Sequence, residues 1–419
     1  MYYQIFKHTL SITLELNYIS LIVSILIVIY LPLAIYGIVL VVIFLISEKN
    51  KNFVKHPDHF KLFHTGTEPT GKDINQHNRV IIEVVTNGKN PESTNSIINR
   101  IIQYGKNVPI FVVTEYNDET VYQARVIKVP KEYETPKRSK KKMRALQYGI
   151  EEIHRLGYGS ETYIIHLDDD SYVNRDYIDY VEKYMTSVAG QGSIRLRDYE
   201  ENNLTGLLDS AIVSTCLLMC TYNNIKNKPK FVHGEGLVIR ADIEYEIGWD
   251  YGLAGAEDFI IGYSISKKYW IDHIPCNIYI NPPTKMKDFV AQRRRWVTHI
   301  LAARRVITKM SYGIFYFYIM IYVYGILGIV AEILWIYDIA MGIPINPIIF
   351  VFSLINLISI FLYYEIGAIY TSKKYAIIMP FVFLLLGLIE NITSIYGILR
   401  RQNPNEFTVI YKRPVSGKP

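Results

Sequence analysis

The chain has only three cysteines in 419 residues, Cys216, Cys220 and Cys276, and no Cys-x-x-Cys pair. That scarcity excludes a disulfide framework and a thioredoxin-like redox motif. Cys216 and Cys220 stand four apart in an apolar stretch, a spacing that suits packing on one helix face. Charge is also sparse: 20% of residues are charged and the net charge is +6. No basic face with a nucleic-acid-binding module is evident, so nucleic acid is not expected as a partner. Internal repeats and low-complexity tracts are lacking, which excludes solenoid and array architectures.

Apolar residues are abundant. Half the residues are hydrophobic and the mean hydropathy is +0.12, more apolar than a soluble domain of this size usually is. Ile19 to Ile46 is an almost uncharged run containing Pro32. It exceeds the ~20 helical residues a bilayer span needs. No cleavage pattern follows it, so the run is expected to remain as an anchor. Lys49, Lys51 and Lys55 come next and place the following domain on the cytoplasmic side by the positive-inside rule. Further apolar segments, Tyr312–Tyr337, Pro344–Ile369 and Ala376–Leu399, are expected as C-terminal spans. They carry Glu332, Glu365 and Glu390, and intramembrane carboxylates either face other helices or serve function. Three spans after a cytoplasmic domain put the C-terminus outside, whereas Arg400, Arg401, Lys412 and Arg413 favour the inside. Either one segment is re-entrant or the charge rule fails.

The expected organisation is an anchor over residues 1–47, a polar linker over 48–78, and a soluble α/β domain over 79–300. A basic amphipathic helix at the membrane surface follows over 293–310, overlapping the domain end, then spans over 312–400 and a tail over 401–419. In the soluble domain, apolar strands Val80–Thr86, Pro109–Thr114 and Tyr163–Leu167 alternate with helix-like stretches Ser93–Tyr104 and Lys142–Leu156. That alternation predicts a mostly parallel sheet covered on both faces, with ligands at the carboxyl ends of the strands.

Three constellations carry chemistry. Asp168-Asp169-Asp170 directly follows an apolar strand. Alternate residues project to one side, so Asp168 and Asp170 can share a divalent cation on a diphosphate leaving group. An isolated Asp-x-Asp serves as often as a helix cap or a solvated turn, and the strand before it favours the metal. Glu257-Asp258 precedes the apolar helix Phe259–Ser266. A carboxylate there suits a general base for an attacking hydroxyl, and equally suits the helix dipole. In Gln292-Arg-Arg-Arg295-Trp296, arginine fits diphosphate oxygens and tryptophan offers a face for a sugar ring. A basic interfacial helix with a Trp anchor has the same composition, and Arg293, Arg294, Arg304 and Arg305 are expected to meet lipid headgroups.

The chain resembles the family-2 membrane glycosyltransferases with a GT-A domain, the class that includes cellulose, chitin and hyaluronan synthases. Within that class it is similar to the egghead-type β-1,4-mannosyltransferases. The matching stretches are Val84-Val-Thr86 with Gly88, Lys141 to Tyr148, His166-Leu-Asp168, Gly190-Gln-Gly192-Ser-Ile, His233-Gly-Glu-Gly236, Ala256-Glu-Asp258 and Gln292 to Trp296. The resemblance implies Asp258 as base, Asp168 and Asp170 as ligands to Mg²⁺ or Mn²⁺, and Asp168, Gln292 and Arg295 on the donor. It further implies Thr86 and Glu115 at the nucleotide base, Lys142 at the diphosphate, and Glu257 and Trp296 at the acceptor. Related enzymes carry an aspartate near the end of the second strand, where this chain reads Val113-Thr-Glu115-Tyr-Asn-Asp118. Asp-Asp-Asp also stands where the egghead group has Asp-Glu-Glu.

The expected activity is inverting transfer from GDP-mannose or a UDP-sugar to a lipid-linked or saccharide acceptor, forming a β-linkage. The expected location is the plasma membrane, with lipid as a partner. Two rivals stand beside it. A processive polysaccharide synthase needs a pore, for which three C-terminal spans are few. An inactive sugar-nucleotide-binding scaffold would not need every acidic and Gln-Arg-Trp element kept.

Overall fold

The computed structural model describes residues 2–51, 78–197, 203–220, 232–304, 306, 309–344 and 346–404. Most of the expected linker, together with Lys55, Arg305, Lys412 and Arg413, lies outside them. In chain order the elements are α1 (Tyr2–Lys51), β1 (Arg79–Val85), α2 (Pro91–Gln103), β2 (Ile110–Glu115), β3 (Arg125–Val129), α3 (Lys141–Arg155), β4 (Thr162–Asp168), β5 (Ser171–Val173) and α4 (Arg175–Tyr184). Then follow β6 (Ala189–Leu196), α5 (Asn203–Thr215) with a π-helical turn at Cys216–Cys220, β7 (Val238–Arg240), α6 (Ala241–Ile247), α7 (Glu257–Ser266), β8 (Ile271–Ile280) and α8 (Met286–Ala303). The last three are α9 (Lys309–Ala340), α10 (Pro347–Thr371) and α11 (Lys373–Leu399).

Two compact units result: Met1–Val42 with Lys309–Tyr396, and Ile43–Thr308 with Gly397–Pro419. The second is a mixed α/β unit whose sheet runs β3-β2-β1-β4-β7-β6-β8-β5. The half made of β3, β2, β1 and β4 is parallel. Beyond it β7 is antiparallel to both β4 and β6, β6 and β8 are parallel, and β5 closes the edge antiparallel to β8. Sequence reading anticipates the parallel half, where continuous apolar runs mark strands buried on both faces. The antiparallel half rests on strands as short as three residues, which leave little periodicity to read.

The helices cover the sheet by ordinary amphipathic logic. In α3, Met143, Leu146, Ile150 and Ile153 are buried, the three- and four-residue spacing of one helix face. Pro91 starts α2 where its missing N–H costs nothing. The core joins Ile81, Phe111, Val113, Leu146, Ile164, Ile239 and Trp249. Cys216 is packed in the interior and accepts a hydrogen bond from the Ile194 N–H at 3.3 Å, a packing role as its spacing suggests.

The parallel register places Val85 beside Asp168, so the carboxyl ends of β1 and β4 finish side by side. In the other half, Gln191 uses both ends of its amide on one loop. It accepts from His233 N–H at 3.0 Å and donates to Glu235 O at 3.0 Å. Tyr177 O–H donates to Gly236 O and accepts from Gly192 N–H. The Gly190-to-Ile194 stretch therefore braces the His233-to-Gly236 loop.

In the other unit, Ser20–Glu48, Pro347–Thr371 and Lys373–Leu399 are long and apolar enough to cross a membrane, and the chain is a membrane protein. The span expected at Tyr312–Tyr337 lies within α9, and Pro32 lies inside α1. Val23 and Ile27 of α1 pack with Ala331 and Trp335 of α9. Glu332 is fully buried there and accepts from Ser353 Oγ at 2.5 Å, while Asn356 Nδ2 donates to Ile27 O at 3.1 Å. Glu332 thus faces neighbouring helices, one of the two placements open to an intramembrane carboxylate.

Gly192 shows how tightly the braced loop is built. A Cβ on it would stand 2.5 Å from Tyr177 Cε2 and 2.6 Å from the Cys276 carbonyl oxygen. Backbone cannot give way as a side chain can, so Gly192→Ala is expected to destabilise the unit by roughly 1–3 kcal/mol. A thermal melt of the purified protein should show the midpoint lowered by several degrees, and an unchanged midpoint would contradict this packing.

Candidate active site

The site forms where β1 and β4 end. Asp168 is the last residue of β4, and its neighbour Asp169 turns away from it. Thr86 Oγ1 donates to Asp169 Oδ2 at 3.0 Å and accepts from Gly88 N–H at 3.2 Å. Asp168 points to the opposite side, where Lys142 Nζ lies 2.5 Å from its Oδ1. Asp170 also acts on Arg295 by its charge, as Asp168 does. The turn after β4 therefore sends Asp169 toward Thr86, whereas Asp168 meets Lys142 and Asp170 acts on Arg295 through its charge.

Lys142 joins two constellations that lie far apart in sequence. Its Nζ also lies 2.8 Å from Glu257 Oε1 on α7. Burial alone would lower its pKa, but Asp168 and Glu257 hold it well above the ordinary lysine value. Lys142 stays charged and links α3, β4 and α7. Ala256 before α7 adopts a left-handed backbone with φ of 62°. That conformation costs a non-glycine residue about 1 kcal/mol or more and is found where a site demands it. Here it swings Glu257 and Asp258 into the cleft at the first turn of α7.

Asp258 Oδ1 accepts from the Phe259 N–H at 2.8 Å. Burial, reinforced by the charges of Glu257 and Glu235, pushes its pKa up to about 7. A carboxylate poised there can bind and release a proton near neutrality. The His233-to-Gly236 loop forms one wall: a Cβ on Gly234 would come 3.3 Å from Lys142 Nζ and 3.8 Å from Asp258 Cβ.

Helix α8 forms the opposite wall. Gln292, Arg295 and His299 recur at helical spacing on one face. Burial lowers the Arg295 pKa, while Glu257, Asp168 and Asp170 oppose that shift, so its guanidinium faces the acids. His299 packs on Gly255, where a Cβ would come 2.8 Å from its Cγ. Burial lowers the His299 pKa as well. Trp296 is half-buried.

Arg293 departs from the expected pattern. It is 1% exposed and ion-paired to the equally buried Asp209, so it meets no headgroup. The amphipathic pattern runs from Arg293, but the helix itself begins at Met286 and ends at Ala303, and all of it belongs to the α/β unit. Burying a guanidinium needs a paired carboxylate, and the one that serves lies 84 residues away, beyond reach of a local pattern. Arg304 is exposed and Arg294 half-buried, donating to Arg400 O.

At the end of β2, Glu115 is ion-paired to Arg144 at 2.8 Å. Asp118 is more deeply set. It accepts from Thr114 Oγ1 at 2.6 Å, Tyr122 O–H at 2.8 Å and Thr120 N–H at 2.9 Å. Burial would raise its pKa, but these hydrogen bonds bring it below the ordinary aspartate value. Gly88, with φ of 73°, leaves room for the Asp118 carboxylate, which would lie 2.6 Å from any Cβ there. Asp118 therefore sits beside Thr86 and Gly88, the place sequence reading left open between it and Glu115.

Sequence reading assigned no role to His299 or Glu235. The signals were present: His299 stands seven residues after Gln292, and Glu235 lies within a matched motif.

Glu83, His166 and Glu244 form a further buried group whose donor atoms lie within 4.8 Å of one another, close enough to hold a metal ion. Their arrangement favours a relay over a cage. His166 Nε2 faces Glu244 Oε2 at 2.9 Å, and Nδ1 faces Glu83 Oε2 at 3.6 Å. One ion cannot take both nitrogens, which lie on different edges of the ring. Trp249 Nε1 donates to the other Glu244 oxygen at 2.7 Å. Burial pushes the Glu83 pKa up to about 8 against the pull of His166.

Two curated relatives match over 238 residues at 29% identity: β-1,4-mannosyltransferase egh of Drosophila melanogaster and β-1,4-mannosyltransferase bre-3 of Caenorhabditis elegans. Each match covers 53% of this chain and 52% of the relative, so the chain spans about half the length of the curated relatives it matches. Among solved structures, mannosyltransferase PcManGT from Pyrobaculum calidifontis, in complex with GDP-Man and Mn²⁺, aligns at 12% identity with a TM-score of 0.45. That alignment covers 91% of this chain and 100% of the other. S. aureus TarS 1–349 in complex with UDP-GlcNAc aligns at 12% identity with a TM-score of 0.32, covering 77% and 92%. The sequence profile of glycosyl transferase family group 2 matches residues 163–387, a stretch that includes Asp168 to Asp170, Glu257-Asp258 and Gln292 to Trp296. The chain belongs to that family.

Proposed function

We propose that the protein is an inverting membrane glycosyltransferase. It moves a sugar from a nucleotide diphosphate donor to a lipid-linked or saccharide acceptor and forms a β-linkage. The observation that carries this reading is the convergence of Asp168, Glu257 and Lys142, with Asp258 beside them at a pKa of about 7. A β-1,4-mannosyl product is proposed from the two curated relatives, which carry that activity in their names, and GDP-mannose is the donor proposed with it. A cytoplasmic catalytic unit at the plasma membrane is part of the same proposal, supported by the lysines after the first span.

Asp168 at the end of β4 and Asp170 in the turn after it would hold a hard divalent cation such as Mg²⁺ or Mn²⁺, which takes oxygen ligands. Such an ion neutralises charge on the leaving diphosphate. Thr86 and Asp118, with Glu115 beside them, line the end of the sheet where the nucleotide base binds. Lys142 and Arg295 donate to the diphosphate and stabilise the charge that develops as the glycosidic bond breaks. Asp258 takes the proton from the acceptor hydroxyl, whose oxygen attacks the anomeric carbon from the side opposite the leaving group. Glu257 and Trp296 hold the acceptor. Purified full chain offered a panel of nucleotide sugars with Mg²⁺ or Mn²⁺, scored for nucleotide release, tests the reading. GDP-mannose should be turned over, and release from no donor in the panel would overturn it.

Asp170→Asn removes one of two carboxylates at the surface end of the sheet. Metal-dependent donor binding should be lost while the melting temperature holds. Donor affinity in Mn²⁺ equal to the parent's would remove Asp170 from the site.

Asp258→Asn should keep donor binding and cut turnover by about 10² or more, the scale of a lost general base. The parent supplies the matching pH profile. Asp258 acts only when deprotonated, and its pKa stands near 7 rather than in the usual aspartate range. kcat/KM should therefore be full above pH 7 and fall about tenfold per unit below it. A profile flat to pH 5 would mean that another group is the base.

A further inference from the structure

The basic helix holds a second layer of organisation, centred on Arg293. Four contacts of its guanidinium define a closed setting. Nη2 donates to Asp209 Oδ1 on α5 at 2.8 Å, and Nη1 donates to Gln292 Oε1 at 2.8 Å. The guanidinium carbon lies 4.4 Å from the centroid of the Phe289 ring and 4.5 Å from that of Trp296. Arg293 and Asp209 are each 1% exposed and Gln292 is 3% exposed. A buried pair of this kind is often no more stabilising than apolar side chains of the same volume. Its consequence lies in orientation.

An arginine has five donors and no acceptor. Whatever Gln292 turns toward Arg293 must therefore be its carbonyl oxygen. A glutamine amide left to itself can present either end. This one is held with its oxygen committed, and the group it retains for a ligand is the Nε2 amine, which only donates. Trp296 is constrained by the same cation: one face of its ring is covered, so a sugar ring has the other face to stack on.

We infer that Arg293, anchored by Asp209, is a positioning residue that makes Gln292 an obligate hydrogen-bond donor toward an oxygen of the nucleotide-sugar diphosphate. This rests on the glycosyltransferase reading under Proposed function and on the donor-binding role that the family resemblance gives Gln292. Gln292 stands one turn before Arg295 on the face that meets Asp168 and Asp170, where diphosphate oxygens belong. A phosphate oxygen accepts and never donates, so a glutamine with its amide reversed would repel it. Lysine in place of Arg293 could reach Asp209 or Gln292 with its single ammonium, but could not fork to both.

The test is a double-mutant cycle on the full chain in detergent, read as donor KM and kcat with the melting temperature followed alongside. Replacing the pair together, Asp209→Leu with Arg293→Met, avoids stranding one buried charge and should keep the melting temperature within a few degrees. It should raise the donor KM about tenfold with kcat changed far less. In a Gln292→Ala background the same pair of changes should raise KM by less than twofold, because the amide it orients is gone. Gln292→Glu should mimic the loss, since its carboxylate still accepts from the arginine but offers the diphosphate an acceptor. Arg293→Lys carries the same cycle if the apolar pair does not fold. Fully additive effects of the clamp and Gln292 would overturn the inference, because a merely structural clamp acts whether or not the amide is present. So would a Gln292→Glu enzyme with the parent's KM. A parent that binds no nucleotide sugar overturns the function reading itself, and this role falls with it.

Discussion

Carboxylates crowded into one cleft set the terms for the rest of the α/β unit. Asp168, Asp170, Glu257, Asp258 and Glu235 act on the same few side chains, and like charges at close range would drive one another to protonate. The Lys142 ammonium, lodged between Asp168 and Glu257, resolves most of that repulsion, and the Arg295 guanidinium adds to it. Asp258 receives the residue of the strain. It is flanked by Glu257 and Glu235, has no direct ion pair to a lysine among the described residues, and its pKa stands near 7. Two carboxylates adjacent in sequence, Glu257 and Asp258, thus differ in surroundings by which of them the lysine reaches. The proposed role of Asp258 as the base rests on that difference.

Much of the remaining structure keeps these groups in place. Gln191 and Tyr177 brace the loop that brings Glu235 to the cleft. Asp250 performs a similar task behind Lys142. It accepts from Thr135 Oγ1 at 2.7 Å, Lys137 N–H at 2.7 Å and Ser139 Oγ at 2.8 Å, so the loop entering α3 is held rigidly. The left-handed Arg138 lies in this loop, and the left-handed Lys141 is the first residue of α3. Backbone strain on either side of the cleft, at Lys141 and at Ala256, is therefore opposed by hydrogen bonds and ion pairs made by the residues it presents.

The helical unit follows a different economy. Water cannot satisfy polar groups there, so each must find a partner in the protein. Glu332 with Ser353, and Asn356 with the Ile27 carbonyl, link α1, α9 and α10. Such contacts between apolar helices specify which faces meet, since lipid tails compete well with leucine and isoleucine for ordinary packing.

How much of this was legible in the sequence depends on the range of the interaction involved. Val80–Thr86, Pro109–Thr114 and Tyr163–Leu167 were readable as strands because continuous burial on both faces writes itself as an apolar run. The helix over Lys142–Leu156 was readable from its spacing. Asp168 could be placed at the end of a strand because the apolar run before it is a local signal, and the spans could be read from length and hydropathy. Tertiary structure alone decided the rest. Asp118 and Glu115 stand three residues apart, and only the turn after β2 and the glycine at 88 show which one comes beside Thr86. His166 sits in a matched motif, yet its partners Glu83 and Glu244 come from β1 and α6. Arg293 looks from sequence like its neighbours Arg294 and Arg295, three cations in a row on a basic helix. Helical geometry sends them in three directions, and Asp209, 84 residues earlier, draws one of them into the interior. A local pattern reports what each residue is, whereas a charge is defined by the partner that folding brings within reach.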